Sequence, residues 1–258
     1  MERLRNQKNT GLSSNALRTC GLLFLAAGAV GRGIIQNQLL GIGAVSTQQL
    51  LEAMQNSDST MMLATLSLVL QAIETCAVPV FVLLLVEGFQ HTSNFKHYLL
   101  RVAGVAVLSE IPYNLTIGGS FLDFQSRNPV FGMVVGLILL FFYQYYAGKT
   151  VKNVLIKILV TVCAVLWTMM LNIEFGECLV LVVCVLWIFR SKSLYRNFIG
   201  ATVTILCTVI SPFYLAAPMG FLIVHMHNGE QGEDNRLRNY LSYPVIMLLI
   251  GLIAMFAF

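Results

Sequence analysis

Glu87, His91 and Glu110 fall in one stretch, PVFVLLLVEGFQHTSNFKHYLLRVAGVAVLSEIPYNLT (79–116), that leaves an apolar helix, crosses a polar elbow and enters a second apolar helix. Glu87 and Glu110 are placed at or near membrane depth, where an ionisable group is costly and marks a functional site by default. His91 and His97 lie in the elbow. His225 and His227 lead into Asn228, Gly229 and Glu230 near the other end of the chain. If the helices bundle, these groups converge on one mouth. A histidine of near-neutral pKa beside a carboxylate is the usual base for deprotonating an amine or a hydroxyl. Interfacial histidines are also commonly no more than wetted helix ends.

Composition sets the medium in which such groups must be held. The chain is 57% hydrophobic and 11% charged, with a mean hydropathy of +0.76. A soluble domain of this size could not hide that much apolar surface. Uncharged runs of roughly 20 residues read as helices that cross a membrane. Nine spans are expected, at roughly 16–41, 60–87, 95–113, 129–147, 151–171, 175–190, 196–211, 213–227 and 239–258. The seventh and eighth could instead form one element broken at Ser211-Pro212. Lys and Arg fall almost entirely on alternate loops, and the opposite loops hold only Arg127. That asymmetry predicts a cytoplasmic N-terminus and an outside C-terminus. The expectation is an all-α, polytopic bundle: residues 1–258 as one integral-membrane domain, with 1–15 a basic cytoplasmic tail. Segment 45–59 reads as a short interfacial helix.

Arg32 in the first span and Glu74 in the second would each be expensive alone in lipid, and they are expected to form an ion pair inside the bundle. Glu174 and Glu177 belong to the outer end of the sixth span, where solvated carboxylates are cheap. Pro79 should kink or open the second span, and Gly28, Gly31 and Gly33 should let a neighbour approach the first closely. All six cysteines lie in apolar runs without metal-ligand spacing, so neither disulfides nor a metal is expected. The net charge of +4 is no nucleic-acid footprint, because its distribution follows the loops. Asn114-Leu115-Thr116 is formally a glycosylation sequon.

Four blocks together resemble the TraX family of bacterial membrane proteins, named for acetylation of the pilin N-terminus. They are VPVFVLLLVEGFQHT (78–92), YLLRVAGVAVLSEIPYNL (98–115), LNIEFGECLVLVVCVLWIFRSK (171–192), and HNGEQG with the later YP (227–232, 243–244). The resemblance implies an acyltransferase of the bacterial inner membrane that takes acetyl groups from cytoplasmic acetyl-CoA. The acceptor would be an amine or hydroxyl of a peptide or envelope molecule. Glu87, His91, Glu110 and His227 would then be catalytic, and Lys96, Arg101, Asn228 and Glu230 would hold the coenzyme. The sequence also departs from the family pattern. Gly28-Ala29 stands where an Asp-His pair is usual, Ile246 where a His follows Tyr-Pro, Thr75 for an Arg, and Gln231 for the Arg of NGERG. These departures support an alternative: an inactive relative serving as a binding or scaffold subunit of a membrane complex.

Overall fold

The computed structural model describes residues 11–41, 57–122, 125–231 and 236–257, together with Glu52 and Gln55. The described part is all helical. Helix α1 spans Ser14–Ala29 and widens into a π-helix over Val30–Leu39. It is followed by α2 (Asp58–Glu74), α3 (Ala77–His91), α4 (Phe95–Ile117), α5 (Val130–Tyr145) and α6 (Val151–Met170). Then come α7 (Gly176–Ile188), α8 (Ser193–Leu206), α9 (Pro218–His225) and α10 (Arg236–Ala257). Most of the 45–59 segment lies outside the described residues.

Local sequence explains most of the boundaries. Ser13, Ser57, Asn94 and Thr150 each cap a helix by accepting a backbone N–H with the side chain, which satisfies one orphan donor of the first turn. The second predicted span is a single run broken in the middle. Pro79 cannot donate a backbone hydrogen bond, and its ring crowds the preceding turn. The chain turns at Thr75 and Cys76 before α3 begins. The break also frees Thr75, whose hydroxyl contacts the carbonyls of Ala72 at 2.7 Å and Phe213 at 3.1 Å. The predicted eighth span is a short helix preceded by two 3₁₀ turns, Cys207–Val209 and Pro212–Leu215. Ser211-Pro212 separates those turns.

Among the described residues, four helical runs are long and apolar enough to cross a membrane: Ser14–Leu39, Asp58–His91, Val151–Met170 and Leu237–Phe256. Helix α6 shows what surrounds them. Leu155, Leu159 and Trp167 are each at least 60% exposed, a face that water would not tolerate at this extent. Helices α3 and α7 take the opposite position and form the centre of the core, with Val80, Val82, Val180 and Val182 fully buried.

Close approaches are made at glycines. Gly200 lies against the ring of Phe221, and Gly220 against the Cys76 carbonyl and the Pro79 ring. Helix α9 therefore seats directly on the break between α2 and α3. Gly33 rests on the Thr116 carbonyl, and Gly251 on the Thr116 hydroxyl. That hydroxyl reaches the Met247 carbonyl at 2.6 Å, bringing α4 and α10 together.

Two stitches close the bundle. At one end Leu12 and His227 form a parallel bridge, flanked by Ser14 N–H donating to the Glu230 carbonyl at 2.8 Å. At the far end Arg127 bridges Ile173, flanked by Glu174 N–H donating to the Arg127 carbonyl at 2.9 Å.

Replacing Gly220 with Ala should lower stability by about 1–3 kcal/mol, because its Cβ would meet backbone that cannot yield. Gly104→Ala, where nothing lies nearby, should be neutral. Thermal unfolding of the purified protein in detergent measures both. Equal stability of the two variants would contradict the packing of α9.

Candidate active site: a cavity and two ion clusters

Helices α3 and α4 are joined by three residues, yet they diverge, and a cavity of about 460 Å³ opens between them. Its wall on α3 runs from Ala77 to His91, about 21 Å at ~1.5 Å per residue. The mouth gathers Arg18, Arg101, His91 and Gln231. The middle is apolar, with Phe81, Leu84, Leu85 and Val105. The far end is closed by Phe175, Pro129 and Tyr243. Gly88 of VEGFQHT is needed at the mouth, because a Cβ there would strike the Tyr98 hydroxyl.

The residues expected to be catalytic do not all meet at this cavity. His91 and Arg101 line it. Lys96 is exposed on the first turn of α4, and His97 and His225 are also exposed. Glu87 points away, toward the loop after α9. Its Oε1 lies 2.9 Å from Nε2 of His227. The approach is oblique for a hydrogen bond, since that nitrogen lacks a well-formed partner, but it is short enough for an ion pair. The other ring nitrogen, Nδ1, is 2.9 Å from the Leu12 carbonyl. Both nitrogens thus face acceptors, and only the doubly protonated ring can donate to both. The Glu87 carboxylate raises the His227 pKa above its ordinary 6.5 despite some burial, and the Leu12 carbonyl adds to the effect. His227 therefore fastens α3 to the N-terminal segment, and its raised pKa favours the charged form over the free base. Asn228 and Glu230 belong to the same fastening. The Asn228 amide donates to the Gly11 carbonyl at 3.3 Å, and its Oδ1 accepts from Glu230 N–H at 2.9 Å.

Glu110 serves the far end. It lies fifteen residues along α4 from Phe95, so ~22 Å from the mouth. Its carboxylate accepts from Arg127 at 2.8 Å and from the Asn128 amide at 2.6 Å. Asn128 is fully buried and also caps α5 through Val130 N–H at 3.1 Å. Glu110 thus anchors the loop before α5. Asn114 is 2% exposed, so the formal sequon is no glycosylation acceptor.

A second cluster lies behind Tyr243. Arg32 Nη2 is 2.7 Å from Glu74, and its Nη1 contacts Glu174. The expectation that Glu174 would be a solvated carboxylate is corrected here: its side chain is 10% exposed and is held by Arg32. Asn172 and Phe175 adopt left-handed backbone, at φ 48° and φ 57°. For a bulky residue this is strained, and the strained turn is what carries Glu174 inward. Gly28 makes room for the other acid, since a Cβ there would collide with the Glu74 carboxylate. The π-helix adds further contacts. Ser67 donates to the Gly31 carbonyl at 2.8 Å, Gln71 to Gln36 at 3.1 Å, and Asn37 to the Ile117 carbonyl at 2.7 Å.

A profile of the family described as TraX protein matches residues 60–254. The chain belongs to the TraX family. Comparison with curated proteins and with solved structures finds no match. Family membership and the four long apolar helices make it a membrane protein. The positions expected to depart from the TraX pattern now have locations. Gly28 faces Glu74, and Gln231 lines the cavity mouth. Thr75 is spent on the backbone at the break, and Ile246 packs on the core. Sequence reasoning missed Arg18, Tyr98 and Tyr243 as cavity residues. Arg18 and Tyr98 could have been found from their placement near apolar helix ends, whereas Tyr243 carries no such signal.

The His227 contact predicts a pH dependence. The folded protein holds this proton more tightly than the unfolded chain. The stabilisation is therefore full below the unfolded value of about 6.5 and is lost as pH rises through the folded value. Thermal stability should fall over that window, and Glu87→Gln should flatten the fall. A wild-type profile that rises across the same window would contradict the pairing.

Proposed function

We propose that this TraX-family protein is an integral-membrane acyltransferase that moves an acetyl group from cytoplasmic acetyl-CoA to an amine or hydroxyl of a peptide or envelope acceptor. The observation that carries this reading is the cavity. Its volume falls in the range of small-molecule sites, roughly 300–1,000 Å³. Its mouth offers two guanidiniums, Arg18 and Arg101, suited to phosphates. Its apolar shaft suits the pantetheine arm and excludes water from the thioester. His91 at the rim is the histidine placed to take a proton there. Lys96, on the turn that leads into α4, adds positive charge outside the mouth.

The same reading sets the topology. Taking α2 with α3 as one span and α9 with its preceding turn as another gives nine crossings, with 1–258 forming one membrane domain. Arg18 and Arg101 then face the cytoplasm, and the C-terminus lies outside, in agreement with the Lys and Arg distribution. The setting is the bacterial inner membrane, with the lipid bilayer around the bundle and no nucleic acid as partner.

A second reading is favoured by one specific observation: Glu87, His227 and Glu110 are all committed to structural contacts. In that reading the protein binds acetyl-CoA without turnover and acts as a subunit of a membrane complex.

Acetyl-CoA should raise the thermal stability of the purified protein, with ~2.7 kcal/mol expected at 100 times its Kd. Arg18→Ala and Arg101→Ala should each reduce the shift, and His91→Ala should leave it intact while cutting transfer at least ~10²-fold. Binding without transfer to any amine or hydroxyl acceptor supports the second reading. Absence of any shift at saturating coenzyme rejects both.

A further inference from the structure

The Arg32 cluster is short of positive charge. Among the described residues, the ion pairs here join two guanidiniums, Arg32 and Arg127, to three carboxylates, Glu74, Glu110 and Glu174. Arg127 and Glu110 can reach solvent, with side chains 31% and 15% exposed. The inner trio cannot discharge its excess that way, because Glu74 is 1% exposed and Glu174 10%. An uncompensated carboxylate in so apolar a place is strongly disfavoured.

The polar atoms left over point the same way. Glu74 Oε1 and Glu174 Oε2 are buried without a hydrogen-bond partner, and so are the Arg32 Nε–H and the Tyr243 hydroxyl. Tyr243 is 7% exposed, lines the cavity, and lies within electrostatic reach of Glu174, Tyr113, Glu74 and Arg32. A carboxylic acid in place of one carboxylate would remove the uncompensated charge. A metal ion fits poorly. Arg32 fills the space between the carboxylates, and Gly28 packs on the other face of Glu74. Alkali and alkaline-earth cations need several oxygens around them.

We propose that the Arg32–Glu74–Glu174 cluster is a proton-binding site, holding one proton on its carboxylate pair and exchanging it with the cavity by way of the Tyr243 hydroxyl. The groups facing that proton are Arg32 from the π-helix, Glu74 from α2, Tyr113 from α4, Glu174 from the turn before α7, and Tyr243 from α10. The site does not rest on the acyl-transfer reading. If that reading holds, the site places an exchangeable proton at the closed end of the cavity.

Infrared spectroscopy of the purified protein near neutral pH tests this directly. The wild type should show the carbonyl band of a buried carboxylic acid. Glu74→Gln or Glu174→Gln should remove the band, and the variant that removes it should unfold within about 2 °C of wild type. The matching alanine variant should unfold at a clearly lower temperature. Tyr243→Phe should keep the band and delay its shift in D₂O. The wild-type spectrum is readable even if no variant folds. Absence of the band in wild type, its survival in both glutamine variants, or a large stability change on replacing sodium with N-methylglucamine would overturn the proton site. An unchanged exchange rate in Tyr243→Phe would overturn the route.

Discussion

Everything in this bundle is arranged around one constraint: a guanidinium held in an apolar medium must keep its counter-charges within reach. Arg32 alone would make the first span expensive to insert. The chain meets the cost by bringing two carboxylates from distant segments, Glu74 across 42 residues and Glu174 across more than a hundred. Each delivery has a local cause. Gly28 lacks the side chain that would block Glu74. The left-handed turn at Asn172 and Phe175 folds Glu174 inward. The π-helix that carries Arg32 widens the backbone, and it is secured by Ser67, Gln71 and Asn37. π-Helical turns occur frequently at functional sites.

That core of charge divides the molecule's work. The stitches at the two ends use four more ionisable groups as fasteners, Glu87 with His227 at one end and Glu110 with Arg127 at the other. Between them α3 and α4 part, leaving a shaft whose mouth is cationic and whose closed end abuts the buried cluster through Tyr243.

Much of the fold was legible beforehand, for simple reasons. Apolar run lengths mark where helices start and stop, and Pro79 marks the break in the second. Arg32 and Glu74 could be matched because unpaired charges at that depth are too costly to leave alone. The limits are equally physical. Glu174 sits one residue from a chain reversal, and nothing local shows that the turn is left-handed and points inward. That Glu87 and His227 lie on one side of the bundle could be anticipated, but their pairing, and the Leu12 carbonyl 215 residues away that adds to it, could not. Tyr243 looks like one more aromatic in an apolar helix. Only packing reveals that it separates a cavity from a charge cluster.

The central claim is charge compensation around Arg32, and a set of neutralised variants tests it most directly. Unfolding of Arg32→Met should be compared with that of the triple variant Arg32→Met, Glu74→Gln, Glu174→Gln. Removing the guanidinium alone leaves the buried Glu74–Glu174 pair with a negative charge that has no partner and should cost about 3–5 kcal/mol. Neutralising all three should recover most of that loss, because no charge remains to be desolvated. A single variant as stable as wild type, or a triple variant no better than the single, would contradict the account.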